Sequence, residues 1–475
     1  NRCTVMGMTF AFGTLPKRAG ALLLLMIACL QADITDVSAL APQKQISFGG
    51  NGRILAPSNI WSPDSREIVY DERERGDVFN ARAIEAVDVD TGKTRVLYRA
   101  TEGSACGVAS WNPKGPFVVF IQGPEPETPD WPYAFSRRRG VVVNTDTLES
   151  RPLEAANYAP PFAKGALRGG THVHMFDRQG QWVSYTYDDE WLTRPHIPYT
   201  EAPRRTIAVS APLRAVHVEP NHPRNHDGDY FSFIAADTTP APRPGSDDVS
   251  RACEESWIGQ NGYRRADGKW QRRALAFQGT VLAADGKTVF AEVFVADLPD
   301  DPTAEGDRPM GGDLRHMGAT PKGFSQRRLT FTQDRPYPGL QGPRHYLLSS
   351  PDGEQIAFLM KDAVGTPQLF LISPRGGEPR ALTHEPAGVV SNFTWSPDGR
   401  FLSCVIDNSV CLVEAATGRI LRLTPKSDTR AIHVSPCAFS PDGTQIAFSR
   451  IVDGKKQIFT VAVPQGKAML SDSAR

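Results

Sequence analysis

The chain has 475 residues, 40% of them hydrophobic, and its 53 Lys and Arg are matched by 53 Asp and Glu. That balance excludes the basic surface with which a nucleic-acid-binding domain offsets phosphate charge, so no nucleic-acid partner is expected. Enough apolar mass is present for a sizeable core, and 41 glycines with 39 prolines point to a fold rich in turns.

At the N-terminus, Lys17-Arg18 precede the apolar run 19–30, interrupted by Gly20. A short basic region followed by such a run reads as a signal peptide and is too short for a membrane span. Ala39-Leu40-Ala41 has the small-residue pattern of a cleavage site. Met26-Ile27-Ala28-Cys29 is a weak lipobox that would make Cys29 a lipid anchor. Residues 1–41 are therefore expected to be a signal segment and leader. The protein is expected to be periplasmic or exported in a bacterium, meeting a membrane only through the signal or that anchor.

The rest of the chain is organised by a repeated turn. Ser350-Pro351-Asp352-Gly353, Ser396-Pro397-Asp398-Gly399 and Ser440-Pro441-Asp442-Gly443 are the clearest copies. Weaker ones end at Ser65, Gly115, Gly180 and Gly228. Proline presets one backbone angle of a tight turn, aspartate bonds to the local backbone, and glycine supplies a positive φ. An alternating segment follows each turn, and five residues on stands Phe358, Cys404, Phe448, Tyr70, Phe120, Tyr185 or Phe233. Each frame thus marks a hairpin between the first two strands of one unit, and seven frames predict an all-β, seven-bladed propeller over 44–465, followed by a tail, 466–475.

The long gap between Gly228 and Gly353 is assigned to one elaborated blade, the fourth. It contains a polar insertion at 239–271, strand-like 274–282 and 288–298, and an outer strand at 327–331. The insertion carries Asp247, Arg251, Glu254, Glu255 and Trp257, and Arg251 with Glu254 and Glu255 has helical spacing, a candidate lid or buttress. The last blade runs out after Val463, and Gln45-Ile46-Ser47-Phe48 is expected to supply its missing strand and close the ring. Closure leaves no open edge, so a monomer is expected. Cys404 and Cys411 face each other across a hairpin at Asp407-Asn408, either as a disulfide or as two buried thiols.

The repeated turns resemble the WD40-like repeats of TolB, a periplasmic propeller. Gly169-Gly170-Thr171-His172-Val173-His174, Pro244-Gly245-Ser246-Asp247, Glu254-Glu255-Ser256-Trp257, Arg327-Arg328-Leu329-Thr330-Phe331 and Tyr337-Pro338-Gly339-Leu340 resemble a narrower family, domain of unknown function 3748. That resemblance runs from about Gln45 to Val463. It implies a TolB-like propeller and brings no established reaction.

Candidate site residues come from phase within the repeat. His172 and His345 each stand eight residues before a turn glycine, and His174 and His222 six before. Those positions begin the inner strand of a blade, and His384 and His433 fall in the preceding loops, so the histidines are expected near one mouth of the channel. Side chains alternate along a strand, so His172 and His174 should share a side. With His222 and His345 they form a candidate divalent-metal site. That arrangement is similar to oligogalacturonate lyases, whose metal would acidify a proton beside a sugar carboxylate for β-elimination. Arg168 and Arg344 adjoin the phased histidines, and Arg137-Arg138-Arg139, Asp188, Asp189, Trp191 and Tyr337 complete a set suited to an anion. The leading functional expectation is a binding or scaffolding protein of the envelope, engaging a protein or peptide. The alternative is a metal-dependent enzyme on a small anionic sugar. No nucleophile elbow, phosphate-binding loop or metalloprotease motif is present.

Overall fold

The computed structural model describes residues 34–465 except 74, 124–125, 195–200, 427–430 and 433–435. Residues 1–33 of the expected leader, with Cys29, and His433 and the C-terminal tail lie outside the described residues, whereas 34–41 are described and fold onto the sixth blade.

Seven antiparallel sheets follow one another along the chain, each with its first strand innermost. The first blade is Gly52–Ile54, Glu67–Arg73, Ala83–Asp88 and Thr94–Arg99. The second is Cys106–Trp111, Phe117–Gln122, Arg139–Asn144 and Ser150–Pro152. The third is Gly169–Phe176, Val183–Asp189, Arg205–Ala211 and Phe231–Ile234, and the fourth Arg251–Trp257, Ala274–Leu282, Val289–Asp297 and Ser325–Arg328. In the fifth, Ile356–Lys361, Pro367–Ser373 and Gly376–Ala381 pair, and a lone bridge from Ser349 to Ile356 stands for the inner strand. The sixth is Thr394–Trp395, Phe401–Ile406, Ser409–Glu414 and Ile420–Arg422, with Thr35–Asp36 added in parallel outside it. In the seventh, Ala438–Phe439, Gln445–Val452 and Lys455–Ala462 are joined by Gln43–Gln45, which pairs with Val461, Thr460 and Phe459.

The turn chemistry works as the residue types dictate. In the sixth blade Ser396 Oγ donates to Asp398 Oδ1, which accepts the Arg400 amide, while Ser396 Oγ accepts the Phe401 amide. Gly399 has φ +73. Asp352 and Asp442 act alike. The residues five places on (Tyr70, Phe120, Tyr185, Phe358, Cys404 and Phe448) are fully buried between blades.

Blades are also tied by tryptophans, two of which (Trp257 and Trp395) end inner strands while Trp61 follows one. The indole N–H of Trp61 donates to Ala438 O at 2.9 Å, that of Trp257 to Met175 O at 3.1 Å, and that of Trp395 to Leu348 O at 2.9 Å. Each bond reaches the preceding blade. Trp395→Phe removes the indole donor from Leu348 O, which keeps the Ala357 amide, and is expected to cost about 1 kcal/mol in a denaturant titration. An unchanged midpoint would show that the bond adds nothing.

Two expectations need correction. The frame ending at Gly228 is not the turn of a fourth blade. It lies in the connection before the outermost strand of the third, where the Gly228 amide donates to Val216 O. Phe233 is therefore on an outer strand. The true fourth blade begins inside 239–271: residues 251–257 form its buried inner strand, not a helical lid. Its first turn carries a small hairpin, Tyr263–Arg264 with Trp270–Gln271, in place of the repeated frame. One false frame thus stood in for one missing frame, and the total of seven survived. Cys404 and Cys411 are directly opposed in register and are buried free thiols.

Candidate functional site

At one mouth of the channel is a cavity of about 670 Å³ whose walls come from every blade but the fourth. Its cations are Arg73, Arg138, Arg205, Arg344 and Lys456. His172 is the histidine that lines it.

The geometry is built outward from Asp188. Its Oδ2 accepts His172 Nε2–H at 2.7 Å and Arg205 Nη2 at 2.7 Å, with Arg205 Nε at 3.0 Å. Asp188 and Arg205 are paired in register on neighbouring strands, which places them side by side. Arg138 Nη1 donates to His172 Nδ1 at 3.3 Å. Arginine only donates, so Nδ1 must accept and the ring proton sits on Nε2. Burial lowers the His172 pKa to about 4, against the pull of Asp188. Burial alone would raise Asp188, yet the His172 and Arg205 hydrogen bonds hold it at about 2. The ring is thus neutral at physiological pH, and its free lone pair is already occupied by Arg138.

Arg138 is held by Tyr133, whose oxygen accepts its Nε at 2.6 Å, and lies over the Phe79 and Phe135 rings at 4.3 and 4.6 Å. Arg73 pairs with buried Asp71, which also accepts the Val108 amide at 2.7 Å. Arg344 pairs with Glu254 at 2.6 Å. Among the described residues no carboxylate pairs with Arg138 or Lys456. Burial, then Arg73, lowers the Lys456 pKa against the pull of Asp71 and Asp77.

Of the sequence-predicted residues, Arg138, His172 and Arg344 line the cavity and Asp188 orients His172. The shared histidine phase does not produce convergence. Val173 has φ +57, and the register slips between His172 and Met175, so a β-bulge breaks the alternation. His172 faces the cavity, while His174 is buried beside Tyr185, with Nε2 2.9 Å from Thr171 Oγ1. Equivalent bulges occur at Val108 and Glu254, both with positive φ. His345 is spent on the backbone: Nδ1–H donates to Pro343 O at 2.9 Å and Nε2 accepts the Leu359 amide at 3.0 Å. His222 belongs to the misassigned frame and packs against Trp131 and Tyr158. His384 is exposed, and Tyr337 lies beneath Lys361 away from the mouth.

Arg168 is buried with Asp189 at 2.9 Å and braces the chain at Asp313 and His316. Arg137 pairs with Glu190, Arg139 donates to Gln122, and the Trp191 indole donates to Leu314 O. The residues do not fit a histidine-rich metal centre: among the described residues no group of three or more His, Cys, Asp or Glu is gathered to hold an ion. Arg205 and Lys456 were missed by sequence reading. The cross-strand register would have found Arg205 opposite Asp188. Lys456 follows the tight turn Asp453-Gly454, a position that no motif marks.

A family model described as "Protein of unknown function (DUF3748)" matches residues 105–226. The chain is 40% identical over 412 residues to "Uncharacterized protein YidR" of Escherichia coli (strain K12), covering 85% of this chain and 94% of that protein. The chain belongs to this family. Among solved structures, an oligogalacturonate lyase in complex with manganese is similar with TM-score 0.53 and 12% identity, over 91% of this chain and 96% of the other. TolB from Acinetobacter baumannii matches with TM-score 0.30 and 13% identity, over 89% and 57%. At such identities the likeness is one of fold, and the family's function must be argued from the site.

Proposed function

We propose that the protein is a binding propeller whose cationic mouth takes a ligand bearing two or more carboxylates. The observation that carries this reading is that Arg138 and Lys456 face one cavity with no carboxylate in ion-pair contact, while Arg205 and Arg344 beside them pair with Asp188 and Glu254, and Asp77 in the same wall pairs with Arg75. Planar guanidinium groups suit carboxylates, and Phe79, Phe135 and Tyr346 supply apolar faces between the charges. The same chemistry is presented by a short acidic sugar chain and by an acidic segment of an envelope protein. An exported location and an envelope partner belong to this proposal, supported by Lys17-Arg18 and the apolar run 19–30.

The mouth is suited to binding rather than proton transfer. With a pKa of about 4, and with Arg138 on its lone pair, His172 is a weak base at neutral pH. Among the described residues no group of three or more His, Cys, Asp or Glu is gathered to hold an ion such as the manganese named for the oligogalacturonate lyase, so no metal step is assigned. Thermal unfolding with trigalacturonate, a triglutamate peptide and inorganic phosphate tests the reading. One or both polycarboxylates should raise the melting temperature beyond the effect of phosphate, and the more effective one identifies the ligand's source. If neither exceeds phosphate, the proposal fails.

A further inference from the structure

The opposite mouth of the channel breaks the repeat in an informative way. Along the inner strand of the third blade, His172 and Val173 line the first cavity, whereas Met175 and Phe176 line a second one of about 250 Å³. The repeated turns surround this second cavity. Their second position is proline in Pro63, Pro113, Pro351, Pro397 and Pro441, and the last four line the cavity. In the third blade, within Asp177-Arg178-Gln179-Gly180, that position is Arg178, which also lines it.

Among the described residues Arg178 has neither a hydrogen-bond partner nor an ion pair, although its side chain is mostly buried. The adjacent Asp177 turns its carboxylate back onto the amides of Gln181 and Trp182. The cavity wall contains a second cation, Lys114, and no carboxylate. Its wall combines the aromatic rings of Trp61, Trp111, Phe176, Trp257, Trp395 and Phe439 beneath the proline rim with uncharged polar side chains such as Asn59, Gln260 and Thr394. Burying an unpaired guanidinium is costly, and an entering anion offsets that cost. Proline would fit the turn at no such cost, as it does elsewhere in the ring.

We propose that this mouth is a second binding site, separate from the first, for a small carboxylate carried on an apolar or aromatic body, with Arg178 as its anchor. The carboxylate meets the guanidinium and the body lies within the ring of prolines and aromatic side chains. The four tryptophans in the wall make binding visible as a change in intrinsic fluorescence.

Benzoate is the probe, with benzamide as its uncharged counterpart and inorganic phosphate as an anion without a body. Wild-type protein should bind benzoate at least about tenfold more tightly than either. Arg178→Pro restores the repeat's own residue, so it should melt at or above the wild-type temperature while losing about tenfold or more in benzoate affinity. Arg178→Gln gives the same readout without touching the backbone. Trigalacturonate binding at the first mouth should be unchanged in both variants, and Arg138→Gln should keep its benzoate affinity. The proposal is overturned if wild-type protein binds no benzoate, if the Arg178 variants bind it as tightly, or if benzamide or phosphate binds equally well. Loss of benzoate binding in Arg138→Gln alone would place the anion at the first mouth and overturn it too.

Discussion

Arg168→Ala is expected to destabilise the protein by about 3–5 kcal/mol, because it breaks a buried ion pair by removing one partner. Arg168 and Asp189 are both almost wholly inaccessible and lie 2.9 Å apart. The guanidinium also donates to the carbonyls of Asp313 and His316, at 2.6 and 2.7 Å, and stacks on Phe162 at 4.6 Å. Alanine leaves the Asp189 carboxylate buried without its cation and removes the side-chain donor from the Asp313 and His316 carbonyls, of which His316 O keeps the Asp313 amide. It thereby removes two of the bonds that hold the connection around Asp313 to the third blade, leaving that of the Trp191 indole to Leu314 O. Urea titration would measure the loss, and limited proteolysis should show faster cutting near Asp313. Replacing both partners, as in Arg168→Met with Asp189→Leu, should recover part of the stability, since no buried charge is then left alone. A loss below about 1 kcal/mol in the single variant would contradict the pair's assigned role.

Glu255→Gln should act in the opposite direction and do so only above acidic pH. Glu255 is fully buried on the inner strand of the fourth blade, with Oε2 accepting Thr186 Oγ1 at 3.2 Å and Oε1 unpaired. Burial, with Glu254 adding to it, pushes its pKa up to about 8. A folded pKa above the unfolded one means that the folded state holds a proton the unfolded state releases. The stability associated with that proton is fully present below about pH 4.5 and is lost as pH rises toward 8. Glutamine keeps the shape of the protonated carboxyl and has no proton to lose. The variant should match wild type near pH 4 and exceed it by on the order of 3 kcal/mol at pH 7. Equal stability of the two proteins at pH 8 would show that the carboxylate finds compensation inside the blade.

The fold was legible because its signal is local and repeated. Each Ser-Pro-Asp-Gly turn closes its own hydrogen bonds within six residues, so the pattern reports the hairpin with no tertiary information. The fourth blade escaped because its first turn grew into a hairpin and lost those residues, while His226-Asp227-Gly228 imitated them in a connection. The site was much less legible. Equal phase in the repeat placed His172 and His345 at equivalent points of two blades, but a bulge turned the first toward the channel, while an inner strand reduced to a single bridge left the second bonded to Pro343 and Leu359. Bulges are set by backbone strain and by neighbours such as Asp71 at the Val108 amide, which lie in other blades and leave no trace in spacing. The channel cations come from five blades, so only closure of the ring gathers them. Arg178 is the opposite case: its departure from proline is plain in the repeat, yet its meaning depends on the cavity that the other prolines line.

Calorimetric titration of trigalacturonate into wild-type protein and into the double variant Arg138→Gln, Lys456→Gln tests the central claim most directly. The account predicts a single site in the wild type that weakens as salt rises, and a loss of about thirtyfold or more in the double variant while its fold is retained. No binding at low salt, or the same affinity in the two proteins, would contradict it.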